Sequence, residues 1–202
     1  MCGRFYVDDD LADEVEEMFP AARRSGVCKA SAHDVVPSQE TPVLMRDPDS
    51  AAGRQEPSGL LFTPRVFGFR GYQGKSLLIN ARAETAAQKP AFRDSLRQSR
   101  CVIPVSAFYE FSPDKEKVEF RLGKGVFFLA GCVRDDRFVI LTTAPNASVS
   151  PVHNRMPVIV SREDVCEWIL SPDIPGRLLT REMPLLSVHR EYEQLSFDLP
   201  MN

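Results

Sequence analysis

The chain has 202 residues, 43% hydrophobic and 26% charged, which is ordinary for a folded globular chain and excludes low-complexity or collagen-like architectures. Lys and Arg number 25 against 28 Asp and Glu, a formal net charge of −3, so a generally basic nucleic-acid coat is excluded and only a local basic cleft has room. The length fits one domain over residues 1–202 with a single sizeable core.

Residues 8–19 read as an amphipathic helix. Leu11, Val15, Met18 and Phe19 share one face, an Asp at the start can cap it, and Pro20 follows its end. Residues 47–59 form a polar Pro/Gly/Ser loop. From Arg65 the pattern turns to strands: Arg65–Arg70 alternates, and Leu77–Ile79 is a short buried run ending at Asn80. Residues 86–98 carry a weaker helical pattern through Phe92 and Leu96. Cys101–Val105 reads as a strand, where Pro104 points to an edge or a bulge. Val118, Phe120 and Leu122 alternate with polar residues before Gly123-Lys124-Gly125 turns the chain into Val126–Ala130. Asp135-Asp136 turns it again into Phe138–Leu141, and Met156–Val160 is one more strand. Ser161-x-x-Asp164 resembles a capping box before a helix with Val165, Trp168 and Ile169 inward. The sum predicts an α+β fold, a curved, barrel-like, mainly antiparallel sheet with a few flanking helices.

No apolar run approaches the ~18–20 residues of a membrane span. The start, Met1-Cys2-Gly3-Arg4-Phe5, has neither the basic nor the apolar region of a signal peptide. The expected location is the cytoplasm (with the nucleoid), or the nucleus of a eukaryote. Five cysteines without a CxxC pair predict reduced thiols. With no HExxH and three scattered histidines, no metal site is expected.

Four segments can carry chemistry. Removal of Met1 gives Cys2 an α-amine of pKa ~7.7–8.0 beside a thiol of ~8.5, so both groups have a reactive fraction near neutral pH. Such a 1,2-aminothiol condenses with an aldehyde to an imine, which the thiol closes to a five-membered thiazolidine. Gly3 permits close approach of a ligand, and Arg4 supplies an anion-binding fork. Asn80, Arg82 and Glu84 share a face if the strand continues, either lining a cleft or ending a strand in a salt bridge. Glu110 lies in the aromatic run Phe108-Tyr109-Glu110-Phe111, and a desolvated carboxyl suits proton transfer, whereas a solvent-facing one is merely polar. His153 and Arg155 are two apart and pair an imidazole with a guanidinium; alone, such a His is more often a structural hydrogen-bonder. His33 and His189 read as structural or surface residues.

In order, MCGRF, NARAET, RCVIPVSAFYEF and HNRMPVIV resemble the series that marks the SOS response-associated peptidase (SRAP) family over residues 1 to about 160. Pro37-Ser38-Gln39 is similar to a further family segment. The resemblance implies a DNA-damage protein that shields abasic sites in single-stranded DNA through a covalent crosslink from Cys2. It implies catalytic roles for Cys2, Asn80, Glu110 and His153, DNA-backbone contacts from Arg4, Arg82 and Arg155, and a polar contribution from Thr142. Phe67-Gly68-Phe69 stands where the family has a Trp-containing turn, so Phe67 and Phe69 are expected to stack on bases. Asp34, Phe111 and the segment Leu186–His189 also depart from the family pattern.

The implied partner is single-stranded DNA containing an abasic site, met by a monomer without metal or organic cofactor. The implied peptidase activity is removal of Met1, and the crosslinking resembles the first step of a lyase. Two other classes fit the same residues. An N-terminal-nucleophile cysteine hydrolase would use Cys2 with His153 and Glu110 on amides. A non-covalent single-strand binder would ignore the lesion.

Overall fold

The computed structural model describes residues 2–26, 32–50 and 57–190. Among the described residues, a nine-stranded sheet, a five-stranded sheet, a two-stranded ribbon (Phe69–Arg70 with Leu77–Leu78) and five short α-helices make up the fold.

The larger sheet has nine strands. Five of them close on themselves: Glu40–Arg46 pairs with Leu60–Phe67 and with Arg100–Val105, which pairs with Phe127–Arg134, which pairs with Arg137–Thr143. The ring closes where Arg137–Thr143 meets Leu60–Phe67 in parallel, Phe138 opposite Phe67. Asn80–Arg82 joins the other end of Arg137–Thr143, also in parallel, with Asn80 opposite Ile140 and Arg82 opposite Thr142. The expected curved, barrel-like sheet is therefore present, mainly antiparallel with three parallel pairings.

The smaller sheet has five antiparallel strands in the order Ser187–Arg190, Lys117–Arg121, Ala107–Phe111, Arg4–Val7, His33–Val35. Ser106 is the hinge between the sheets. The chain leaves the barrel at Val105, Ser106 N donates to Tyr6 O at 2.9 Å, and Ala107 enters the second sheet. Pro104 pairs with Phe128 on one side, beyond the Cys101–Val102 stretch that pairs with Glu40–Arg46 on the other. Its missing N–H thus falls where the strand has a single neighbour, as expected of an edge.

Helix boundaries follow the apolar periodicity with two corrections. The first helix spans Leu11–Met18, burying Leu11, Ala12 and Val15, and Phe19 beyond it packs edge-on to Phe128 at 5.8 Å. Asp10 occupies its N-cap position without a side-chain cap bond; Asp9 instead accepts the Ala32 N–H at 2.8 Å. The 86–98 pattern resolves into two helices, Ala83–Ala86 and Arg93–Gln98. The box at Ser161 is a side-chain bond from its hydroxyl to Asp164 at 2.7 Å, ahead of helix Val165–Leu170, and Asp164 also takes Arg177 and Arg181. Asp135 turns the hairpin at φ 58°, the left-handed conformation that a two-residue connection needs.

Sequence pattern did not single out Arg100, which is 2% exposed and ties two helices to the barrel. Its guanidinium donates to the carbonyls of Leu96 and Arg97 at 3.0 Å each, and to those of Trp168 and Ser171. These are C-terminal carbonyls of helices Arg93–Gln98 and Val165–Leu170, which no intrahelical N–H can reach. Arg100→Met should therefore cost about 3 kcal/mol or more, because the buried carbonyls lose their donors; a denaturant midpoint with unchanged slope measures it.

Candidate active site

The four segments from distant parts of the chain meet at the seam between the two sheets. Strand Arg4–Val7 pairs with Ala107–Phe111, Arg4 opposite Tyr109, which brings Cys2 to the strand that carries Glu110. Asn80 leads the strand that ends beside Thr142, and its Nδ2 donates to Cys2 O at 3.1 Å. Its Oδ1 is buried and has no hydrogen-bond partner among the described residues, so it is available as an acceptor. His153 Nε2 lies 3.9 Å from Glu110 Oε2.

Cys2 is fully buried, its Sγ 4.0 Å from Arg4 O. Burial pushes its thiol well above the usual range, and the Glu110 charge pushes it further the same way. Glu110 is 2% exposed, and burial raises its carboxyl above the ordinary value, with nearby His153 working in the opposite sense. Of the run 108–111, Phe108, Tyr109 and Glu110 are all buried and only Phe111 is exposed, so Glu110 is the desolvated carboxyl rather than a solvent-facing one. Stacking of Phe108 on Phe120 at 5.1 Å walls the carboxyl's side of the sheet.

The arginines divide into separate roles. Arg82 is exposed, at the start of helix Ala83–Ala86. Arg4 is half-exposed and 3.5 Å from Asp34, which also takes Lys117 at 3.4 Å. Asp34, a departure from the family pattern, is thus neutralised by two cations. Arg155 is not free to grip phosphate: its fork holds both Glu84 oxygens at 2.8 Å, and Nη2 also donates to Thr142 O at 2.6 Å. Thr142 is itself 1% exposed, so it buttresses the site rather than presenting a hydroxyl to DNA. Gly3 is half-buried between Cys2 and Arg4.

Phe67 and Phe69 do not stack on bases in this structure, because both are fully buried. Gly68, at φ +100°, breaks the strand between them. Phe67 stacks on Phe138 at 5.1 Å with 8° between planes and lies 5.6 Å from Phe5; Phe69 packs by Phe92 under the Arg134 guanidinium. Burying a phenyl ring is worth roughly 1.5–3 kcal/mol, and the core uses both rings for that purpose, Phe67 at the barrel's closing seam and Phe69 against Phe92.

Among the described residues, no helix is long and apolar enough to cross a membrane, and no group of three His, Cys, Asp or Glu side chains is placed to hold a metal. The described cysteines Cys2, Cys101, Cys132 and Cys166 are free thiols.

The family model of the SOS response associated peptidase (SRAP) matches residues 1–191. The chain belongs to the SRAP family. Two Bacillus subtilis relatives, named abasic site processing proteins YoaM and YoqW, are each 31% identical to this SRAP chain. The first match covers 89% of this chain and 85% of YoaM, the second 84% of this chain and 80% of YoqW. A solved Bordetella bronchiseptica structure shares the fold with TM-score 0.73 at 20% identity, covering 94% of this chain and 99% of its own.

The electrostatics of the SRAP site give a direct test. The thiolate absorbance of Cys2, taken as wild type minus Cys2→Ser, should rise only well above the ordinary thiol pKa of ~8.5. In Glu110→Gln the rise should move to lower pH, because the carboxylate charge that opposes thiolate formation is gone.

Proposed function

We propose that this chain, acting as one domain and as a monomer, binds abasic sites in single-stranded DNA and captures them through Cys2 as a thiazolidine. The reading rests above all on one observation: Cys2, Asn80, Glu110 and His153 converge at one site, with Cys2 and Glu110 buried and Asn80 and His153 half-buried beside them, although they are spread over more than 150 residues of sequence.

The Met1–Cys2 peptide bond is hydrolysed first, which frees the α-amine. An abasic deoxyribose is mostly a closed hemiacetal, and Glu110 and His153 move the protons that open it to the aldehyde. The amine adds to C1′ and water leaves, forming the C=N bond. The Cys2 thiol then adds across that bond: the new S–C bond closes the ring, and the thiol proton passes to nitrogen through Glu110. The tether makes this last step effectively intramolecular, which compensates for a thiol held protonated by burial. Asn80 holds the Cys2 carbonyl and offers Oδ1 to the freed amine. Exposed Arg82 and half-exposed Arg4 take the flanking phosphates.

A cysteine hydrolase fits the geometry less well. A peptidase thiol is activated by a lowered pKa beside an imidazolium. Here burial and Glu110 raise the thiol, and the His153 ring nitrogen faces Glu110.

Mass spectrometry with abasic and intact oligonucleotides tests the reading. A covalent adduct should form with the abasic strand alone, and Cys2→Ala should abolish its heat-stable form. A stable adduct at wild-type level in Cys2→Ala would overturn the mechanism, and salt-sensitive binding without any adduct would leave only a non-covalent binder.

Glu110→Gln should slow single-turnover crosslinking by about 10²–10⁴-fold where proton transfer limits the rate, without weakening DNA binding. Arg82→Ala should do the reverse, weakening binding and flattening the slope of log K against log salt by ~0.7 for the lost single-strand contact. Binding isotherms across salt and crosslinking time courses on the same variants check both.

A further inference from the structure

We propose that Glu84 is a positioning residue for this site, holding Arg155 in a bidentate pair that fixes the His153 loop and turns His153 Nε2 toward Glu110. The inference rests on the reaction proposed above and adds a residue outside it.

Glu84 follows the strand that carries Asn80, in the first turn of helix Ala83–Ala86. Its side chain is 48% exposed, yet both oxygens are spent on Arg155 at 2.8 Å. Arg155 in turn is only 16% exposed, bonds Thr142 O at 2.6 Å and, through its backbone N–H, donates to His153 Nδ1 at 3.0 Å. One carboxylate therefore couples the Asn80 strand, the Thr142 strand end and the imidazole. The far end of the same loop has its own anchor: Asn146 accepts from Ser148 and Val149 and donates to the carbonyls of Met183 and Pro184.

The Arg155 backbone offers His153 Nδ1 both its N–H, at 3.0 Å, and its carbonyl oxygen, at 3.1 Å, and in the proposed clamp the neutral ring takes the form that accepts from the N–H. A ring that accepts at Nδ1 is neutral with hydrogen on Nε2, the nitrogen 3.9 Å from Glu110 Oε2. When the ring becomes imidazolium, Nδ1–H finds an acceptor at once in Arg155 O, 3.1 Å away. The loop thus supports both protonation states of a proton-transfer group, provided that the Arg155 backbone stays where the Glu84 pair holds it. The Arg155 pair also keeps the Glu84 carboxyl below its usual range, so the clamp stays charged at neutral pH.

Occupying the fork has a second consequence. Removing Glu84 deletes an anion and frees a guanidinium, so DNA binding should hold or tighten while chemistry slows. Loss of fold would weaken both together.

The test compares wild type, Glu84→Gln, Glu84→Ala, Arg155→Ala and the double Ala variant, each confirmed folded by thermal unfolding. Glu84→Ala should lower the single-turnover crosslinking rate at saturating abasic DNA by about 10- to 100-fold, with affinity unchanged or higher. Glu84→Gln, which keeps one acceptor for Arg155, should fall between. The double variant should be no slower than the slower single one, since the two residues act as a unit. Imidazole ¹⁵N spectra without DNA give an independent readout: neutral His153 should be the Nε2–H form in wild type and a mixture of tautomers in Glu84→Ala. A wild-type rate in Glu84→Ala, multiplicative effects in the double variant, or unchanged tautomers would each overturn the assignment. A wild-type chain that fails to crosslink would instead overturn the reaction itself, and the ¹⁵N spectra would still report on the clamp.

Discussion

Everything at the site depends on a main-chain pairing: Arg4–Val7 lies in register with Ala107–Phe111, closed by the bond from Ser106 N to Tyr6 O. Chain ends are ordinarily the least ordered part of a domain unless a strand ties them into a sheet. Here the tie is reinforced by burial, since Phe5 and Val7 are fully enclosed and Phe5 packs against Phe67 of the barrel. The reaction proposed for Cys2 runs through its α-amine and so needs a residue near a terminus that is still held rigidly. The Ser106 hinge meets both demands, because the strand that leaves the barrel there carries Glu110 directly beside the tethered N-terminal strand.

The second constraint is electrostatic. Glu110 and Cys2 are both buried side by side, where neither is favoured as an anion, and burial raises both. Burial holds the Glu110 carboxyl above its usual range, which favours its neutral, proton-donating form relative to an exposed glutamate. In the proposed reaction the raised thiol favours one order of events, with the amine reacting first and the sulfur adding to an electrophile already in place. Tethering supplies by geometry what the thiol lacks in acidity.

Charge pairing then sorts the arginines. Three of them look alike in sequence, each next to a motif that carries chemistry. In the fold, Arg82 reaches solvent, Arg4 shares Asp34 with Lys117, and Arg155 is enclosed by Glu84 and Thr142. A partly exposed pair such as Arg4–Asp34 is worth little and can yield to a phosphate, whereas a fork with both arms bonded and little exposure is structural. The Asp34 departure from the family pattern is accommodated in the same way, by two cations around one carboxylate.

The local pattern of residues was enough to establish the α+β class and the helix near Leu11–Met18 and to mark the segments around Cys2, Asn80, Glu110 and His153 as able to carry chemistry. It left Glu110 free to face inward or outward, and the roles of the four residues came from the resemblance to the family. The class, the helix and the marked segments follow from side-chain periodicity or from chemistry intrinsic to a residue type, which neighbours in sequence suffice to define. Partners distant in the chain were beyond its reach. Phe67 and Phe69 read as exposed stacking rings, but Gly68 turns them into the core, where aromatic burial outweighs any gain at the surface. Arg155 reads as a phosphate fork, but Glu84 satisfies it from 71 residues away. Arg100 carries no motif of its own, and its value lies in the unpaired carbonyls of two helices that only packing brings together. Hydrogen-bond and ion-pair partners are chosen by proximity in space, so which polar groups are spent and which remain available was decided by the tertiary structure alone.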